Sequence, residues 1–176
     1  MKLQFTKTRK VKSPTRANKW DAGIDFFIPE DISVNDFVAK QDNLSSPPSG
    51  YNVSPEGNIS SISLQPGDSV LIPSGIKVKV PEGYALIFNN KSGVASKKGL
   101  IFGASVVDCG YEGECHINLY NISSKAQVIE AGQKIIQGIL MPVECCEMEE
   151  ISSEEELYAN SNSSRGDGGF GSTGTK

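Results

Sequence analysis

Histidine is almost missing from this chain: His116 is the single one in 176 residues, which excludes a His-rich metal centre. The four cysteines do not make up for it. Cys109 and Cys115 lie six apart and Cys145 and Cys146 are adjacent, and neither spacing is that of a zinc ligand set. Reduced structural thiols are expected instead. Positive charge is not in excess: 17 Lys and Arg stand against 21 Asp and Glu, a net charge of −4. The basic stripe of a duplex-binding surface is absent, so nucleic acid is not an expected partner. Nor is there a run of 18 apolar residues or an N-terminal signal pattern, so no membrane contact is expected. The reading is a soluble protein of the cytoplasm, or of a host cytoplasm if the source is viral.

What is present is strand-like. Short apolar runs alternate with turn signals, as in Ser69-Val-Leu-Ile72 before Pro73-Ser-Gly75, and Ile76-Lys-Val-Lys-Val80 before Pro81-Glu-Gly83. Further runs are Tyr84–Phe88, Leu100–Phe102, Cys115–Tyr120, Gln127–Ile129 and Lys134–Leu140. Many short strands at this spacing predict an all-β sandwich or jelly-roll, with at most one short helix around Gly93–Lys98, stopped by Gly99. Residues 33–63, rich in Ser, Asn, Pro and Gly over 40–63, are expected as a surface excursion inserted into a single β domain spanning 1–151. Residues 152–176 begin acidic and turn Asn/Ser/Gly-rich, which predicts a flexible linker and arm.

Four segments carry candidate chemistry. In Asp21-Ala-Gly-Ile-Asp25 either carboxylate could hold a metal-bound water, or the segment is merely a turn. In Asn90-Lys-Ser-Gly93 the Ser92 hydroxyl, backbone amides and the Lys91 charge suit an anion, although Ser92 could simply cap the helix. Val106-Val-Asp-Cys-Gly-Tyr-Glu-Gly113 puts Asp108 where it could deprotonate a water and Tyr111 where its ring could lie against a sugar, or it is a plain hairpin turn. In Ala131-Gly-Gln-Lys-Ile-Ile-Gln-Gly138, Gln137 interrupts an apolar strand and faces either solvent or a ligand.

The end of the chain is the most telling stretch. Arg165-Gly-Asp-Gly-Gly-Phe-Gly-Ser-Thr-Gly-Thr-Lys176 contains five glycines and one aromatic residue, and it cannot build a core element. Its glycines let backbone approach a ligand closely. Arg165 can fork onto phosphate oxygens, and Ser172, Thr173 and successive amides can cradle an anion. Phe170 offers a flat face to a base. The pattern is that of a mobile arm closing over a nucleotide.

In this order the five segments resemble the motifs of the trimeric dUTP pyrophosphatase (dUTPase) family. They are Ala22-Gly-Ile-Asp25, Lys91-Ser-Gly93, Val106–Gly113, Gly132-Gln-Lys-Ile-Ile-Gln137 and Arg165–Gly174. The resemblance implies a distorted jelly-roll that assembles as a homotrimer, with the C-terminal arm exchanged between subunits and active sites shared among them. It implies hydrolysis of dUTP to dUMP and pyrophosphate, which limits uracil in DNA and supplies dUMP for dTMP synthesis. Asp108 would be the general base for in-line attack of water on the α-phosphorus. Uracil would be received by the segment 103–116, with Ala104, Val106, Val107 and His116 in contact, and Tyr111 would stack beneath deoxyribose. Lys91, Ser92, Gly93 and Gln137 would hold the phosphate chain. Phe170 and Gly171 would cover the base, while Arg165, Ser172 and Thr173 reach the γ-phosphate. The implied cofactor is Mg2+, carried mainly by the substrate phosphates, with Asp25 touching its water shell.

Two positions depart from the family pattern. Lys91 stands where Arg is usual, which removes a bidentate phosphate contact. Gly110 stands where a second Asp is common, and glycine suits the same turn. The related dCTP deaminases need a catalytic glutamate pattern that this sequence lacks. A regulatory role through a protein partner on residues 33–63 would be additional to catalysis.

Overall fold

The structure is a computed structural model that describes residues 1–169 and residue 172. Contacts divide it into Met1–Glu144 and Cys145–Lys176, which are taken separately. Among the described residues the first unit contains twelve strands: β1 (Gln4–Lys7), β2 (Ile24–Phe27), β3 (Gly50–Val53), β4 (Ile59–Leu64), β5 (Ser69–Pro73), β6 (Ile76–Lys79), β7 (Tyr84–Asn90), β8 (Leu100–Phe102), β9 (Val106–Val107), β10 (His116–Asn121), β11 (Gln127–Glu130) and β12 (Lys134–Pro142). They pair as β1–β6, β5–β10–β8, β11–β4–β3 and β2–β12–β7–β9, every pair antiparallel.

Alternation drives the layering. In β6, Ile76 and Val78 are buried while Lys77 and Lys79 face out, the period-two pattern of a half-buried strand. The inward residues form one core in which Phe26, Ile62, Leu64, Ile72, Leu86, Ile117 and Leu119 are almost fully dry. Phe88 is its aromatic hub, meeting Phe26 edge-on at 4.9 Å and Phe102 at 5.5 Å between ring centroids.

The expected helix is present as α2 (Ser92–Lys98), ended by Gly99 in the left-handed region at φ 63°. Two others accompany it: α1 (Val34–Gln41) in this unit and the short α3 (Glu154–Leu157) in the second. Residues 33–63 are therefore not a plain surface excursion. Ser33 caps α1 by accepting from Asp36 N at 3.1 Å. Phe37 is buried beside Tyr51 of β3, ring centroids 5.3 Å apart, and Ile59, Ile62 and Leu64 of β4 enter the core. Gln41 is buried as well; its Nε2 donates to Leu71 O at 2.9 Å and its Oε1 accepts from Leu71 N at 3.4 Å. The serines that make this stretch look like loop occupy the outward positions of β4, where small hydroxyls alternate with isoleucines.

Candidate active site

Strand register builds the first half of the site. Asp25 on β2 and Asn89 on β7 flank Gln137 of β12 directly. In a regular strand Lys134, three residues before Gln137, would point to the opposite face. A register shift between Lys134 and Ile136 breaks that parity, as a bulge does. Lys134, Gln137, Asp25 and Lys91, which follows β7, consequently line one cleft of about 370 Å3.

Asp25 is the buried centre of this cleft, 4% exposed. Lys91 Nζ is paired with its Oδ1, and Lys134 Nζ lies 2.9 Å from its Oδ2. Burial alone would raise this carboxyl, but the hydrogen bonds and charges of Lys91 and Lys134 outweigh it and hold it below the usual carboxylate range. Two cations share one anion, leaving a surplus of positive charge suited to a phosphate chain. Gln137 Nε2 donates to Asn90 O at 2.8 Å. Gly23 makes room for it, because a Cβ at residue 23 would stand 2.0 Å from Gln137 Oε1. Asp21 serves its own turn, accepting from Asn18 N at 2.9 Å and Asn18 Nδ2 at 3.1 Å.

The expected capping role of Ser92 is not found. Lys91 occupies the cap position without a side-chain cap bond, and Ser92 is the first helical residue. Ser92 and Gly93 are exposed beside the cleft residue Lys91.

The second half of the site is the segment 103–116, and it is not a simple hairpin. β9 takes its ladder from β7, whereas β10 takes its ladder from β5 and β8. The flanking strands thus do not pair with each other, and the connection crosses between two sheets. Within it, Tyr111 N donates to Asp108 O at 3.2 Å across a turn whose Gly110 has φ 94°, a conformation that favours glycine over the alternative Asp. The Asp108 carboxylate is exposed at this turn. The Tyr111 ring lies over Gly113, where a Cβ would come within 2.3 Å of the phenol oxygen. Its hydroxyl donates to Glu114 O at 3.0 Å. His116 Nδ1 is 2.9 Å from the same carbonyl, and burial lowers the His116 pKa below its ordinary value. A neutral ring then donates from Nδ1 and presents Nε2 as an acceptor. Ala104 N donates to Asn118 Oδ1 at 3.3 Å, and Val106 and Val107 pair with Ile87 and Leu86. Residues 109–112 line a groove of about 620 Å3 together with β1 and β6. That groove is distinct from the Asp25 cleft, so one chain brings Asp25, Lys91 and Gln137 together and holds the Asp108–Tyr111 turn elsewhere.

In the second unit, Arg165 Nε donates to Gly168 O at 2.6 Å and Gly168 N donates to Arg165 O at 3.1 Å. Ser172 N donates to Gly169 O at 2.9 Å. Phe170, Gly171 and Thr173, singled out in the sequence, lie outside the described residues.

Sequence reasoning missed Lys134, Gly23 and Glu114. Lys134 lay inside a recognised motif, but the bulge that turns it into the cleft has no sequence mark.

An antiparallel β fold with a cationic cleft on one sheet and an Asp-x-x-Tyr turn between two others defines a phosphate-handling β protein of jelly-roll type. The dUTPase family model matches residues 48–174. The deoxyuridine 5'-triphosphate nucleotidohydrolase of Chlamydia trachomatis serovar L2 is 39% identical over 115 residues, covering 64% of this chain and 76% of its own. The corresponding Mycolicibacterium vanbaalenii protein is 30% identical over 169 residues, covering 94% and 90%. Among solved structures, the Staphylococcus bacteriophage 80alpha dUTPase with dUPNHPP matches at TM-score 0.72 and 24% identity over 98% of both chains. The dUTPase from phage phi11 of S. aureus matches at 0.66 and 21%, over 88% of this chain and 99% of its own. The chain belongs to the dUTPase family: it is a nucleotide hydrolase whose reaction is hydrolysis of dUTP.

Proposed function

We propose that the enzyme releases pyrophosphate from dUTP by in-line attack of an Asp108-activated water on the α-phosphorus, at sites assembled between the subunits of a homotrimer. The observation that carries this reading is the Asp108–Tyr111 turn. One short turn holds an exposed carboxylate and, three residues on, a ring fixed flat over Gly113, so the base and the sugar platform move as one piece. Tyr111 stacks beneath deoxyribose and leaves no room for a 2′-hydroxyl. Uracil lies against Ala104, Val106, Val107 and His116. Lys91, Ser92, Gly93 and Gln137 take the phosphate chain. The separation of cleft and turn in one chain favours sites completed by neighbouring subunits. Arg165, Phe170, Gly171, Ser172 and Thr173 form the arm that closes over the bound triphosphate; positioning and charge neutralisation are most of what phosphoryl chemistry needs from a protein.

Mg2+ fits this site only as an ion brought by the substrate. Among the described residues no three acidic, His or Cys side chains gather as ligands, and both Asp25 oxygens already face lysines. A carboxylate oxygen has a second lone pair, so Asp25 can still accept from a metal-bound water. Bound to the triphosphate, Mg2+ supplies neutralisation of the phosphate charge. A solved neighbour, the phage phi11 dUTPase, carries a structural Mg(II) ion. The proposed cellular consequences are less uracil in DNA and a supply of dUMP for dTMP synthesis.

The test is pyrophosphate release from dUTP, dCTP, dTTP and UTP with Mg2+, for the wild type and Asp108→Asn. Release from dUTP alone, abolished in the variant, is expected. Undiminished release by the variant would remove Asp108 from the role of base.

A further inference from the structure

We infer that Glu114, held by Arg9, is the positioning residue that sets Tyr111 and His116 for the nucleoside, and that this hold ties substrate selection to helix α1. The inference rests on the proposed place of Tyr111 beneath the sugar. Glu114 is engaged at both ends. Its Oε1 accepts from Arg9 Nε at 3.0 Å and from Gly75 N at 2.6 Å. Its backbone carbonyl accepts from the Tyr111 hydroxyl at 3.0 Å and faces His116 Nδ1 at 2.9 Å. Anchoring the side chain therefore fixes the peptide plane on which both nucleoside-contacting rings hang.

The anchor is itself clamped. Arg9 Nη1 lies 3.1 Å from Asp36 Oδ2, and the same oxygen accepts from the α1 cap, Ser33 Oγ, at 2.7 Å. Gly75, at φ 71°, lets the Arg9 strand approach, since a Cβ there would stand 3.0 Å from Arg9 Cβ. The Arg9 and Glu114 side chains are only 19% and 17% exposed, so their pairing is less screened than an ordinary surface ion pair. Burial alone would lower the Arg9 pKa, yet Glu114 and Asp36 raise it. The result is a continuous polar chain, Ser33–Asp36–Arg9–Glu114–Tyr111, from the first turn of α1 to the sugar platform. None of its first four members is among the residues assigned to substrate.

The experiment compares kcat and KM for dUTP and UTP in wild type, Arg9→Met, Tyr111→Phe and the double variant, with thermal melts to establish folding. Arg9→Met is expected to lower the dUTP-over-UTP ratio of kcat/KM by roughly tenfold, mainly through KM for dUTP, as a displaced platform should. In the Tyr111→Phe background, where the link to the Glu114 carbonyl is gone, the same change should have a much smaller effect. An unchanged ratio in folded Arg9→Met, or an equal fall in both backgrounds, would overturn the inference. Should Arg9→Met not fold, Asp36→Asn tests the outer link, and an unchanged ratio there overturns the connection to α1. Tyr111→Ala separates the two levels. If it leaves discrimination intact the sugar-platform reading itself fails; if it abolishes discrimination while Arg9→Met does not, only the positioning inference fails.

Discussion

The amide oxygen of Gln137 occupies the space that a side chain on residue 23 would need: a Cβ there would stand 2.0 Å from Oε1 and 3.3 Å from Gln137 Cβ. Gly23→Ala must push the glutamine off Asn90 O and out of the cleft. A rise in KM for dUTP of roughly tenfold with an unchanged melting temperature is expected. Steady-state kinetics checks it, and an unaltered KM would place Gln137 outside the phosphate path.

Asp25 gives a pH prediction. Its carboxyl is held below the ordinary value of 3.8 by the two lysines, so its contribution to stability is present above that value. It is lost as pH falls through the lower, folded value. Urea melts of wild type and Asp25→Asn should differ most from about pH 5 upward, and the gap should close in stronger acid. A gap that does not vary with pH would mean that the ion pairs add nothing.

Thiol labelling distinguishes the four cysteines. Cys109, Cys145 and Cys146 are exposed. Cys115 is buried, and burial together with the nearby Glu114 charge pushes its thiol up to about 11. Three labels per native chain are expected, with the fourth only after denaturation; rapid modification of Cys115 would contradict its place in the core.

Phe37→Ala tests whether α1 belongs to the core. Removing a buried phenyl costs about 3–5 kcal/mol, while a change on a surface excursion stays within about 0.5 kcal/mol. Chemical denaturation decides between them.

Strand content was readable because Ile76-Lys-Val-Lys79 and its counterparts alternate cleanly, and the helix stop at Gly99 because only glycine takes its φ of 63° without strain. The motif residues Asp25, Lys91 and Gln137 do share a cleft. The rest depends on relations that no local pattern carries. Lys134 enters the cleft through a bulge, and Glu114 acts through Arg9, 105 positions away. The serines of β4 hide a core strand, since composition records polarity but not the face on which it falls.

The Gln41–Leu71 contact has one more consequence. β5 is an outer strand of its sheet, and a bare strand edge is a template on which another chain can add. One carboxamide meets both Leu71 backbone groups, as a residue of a neighbouring strand would, and Ser46 O covers the next stretch by accepting from Ser69 N at 2.7 Å. The stretch that looks least structured in composition therefore blocks the sheet from growing by recruiting further copies, and its loss would register first as aggregation.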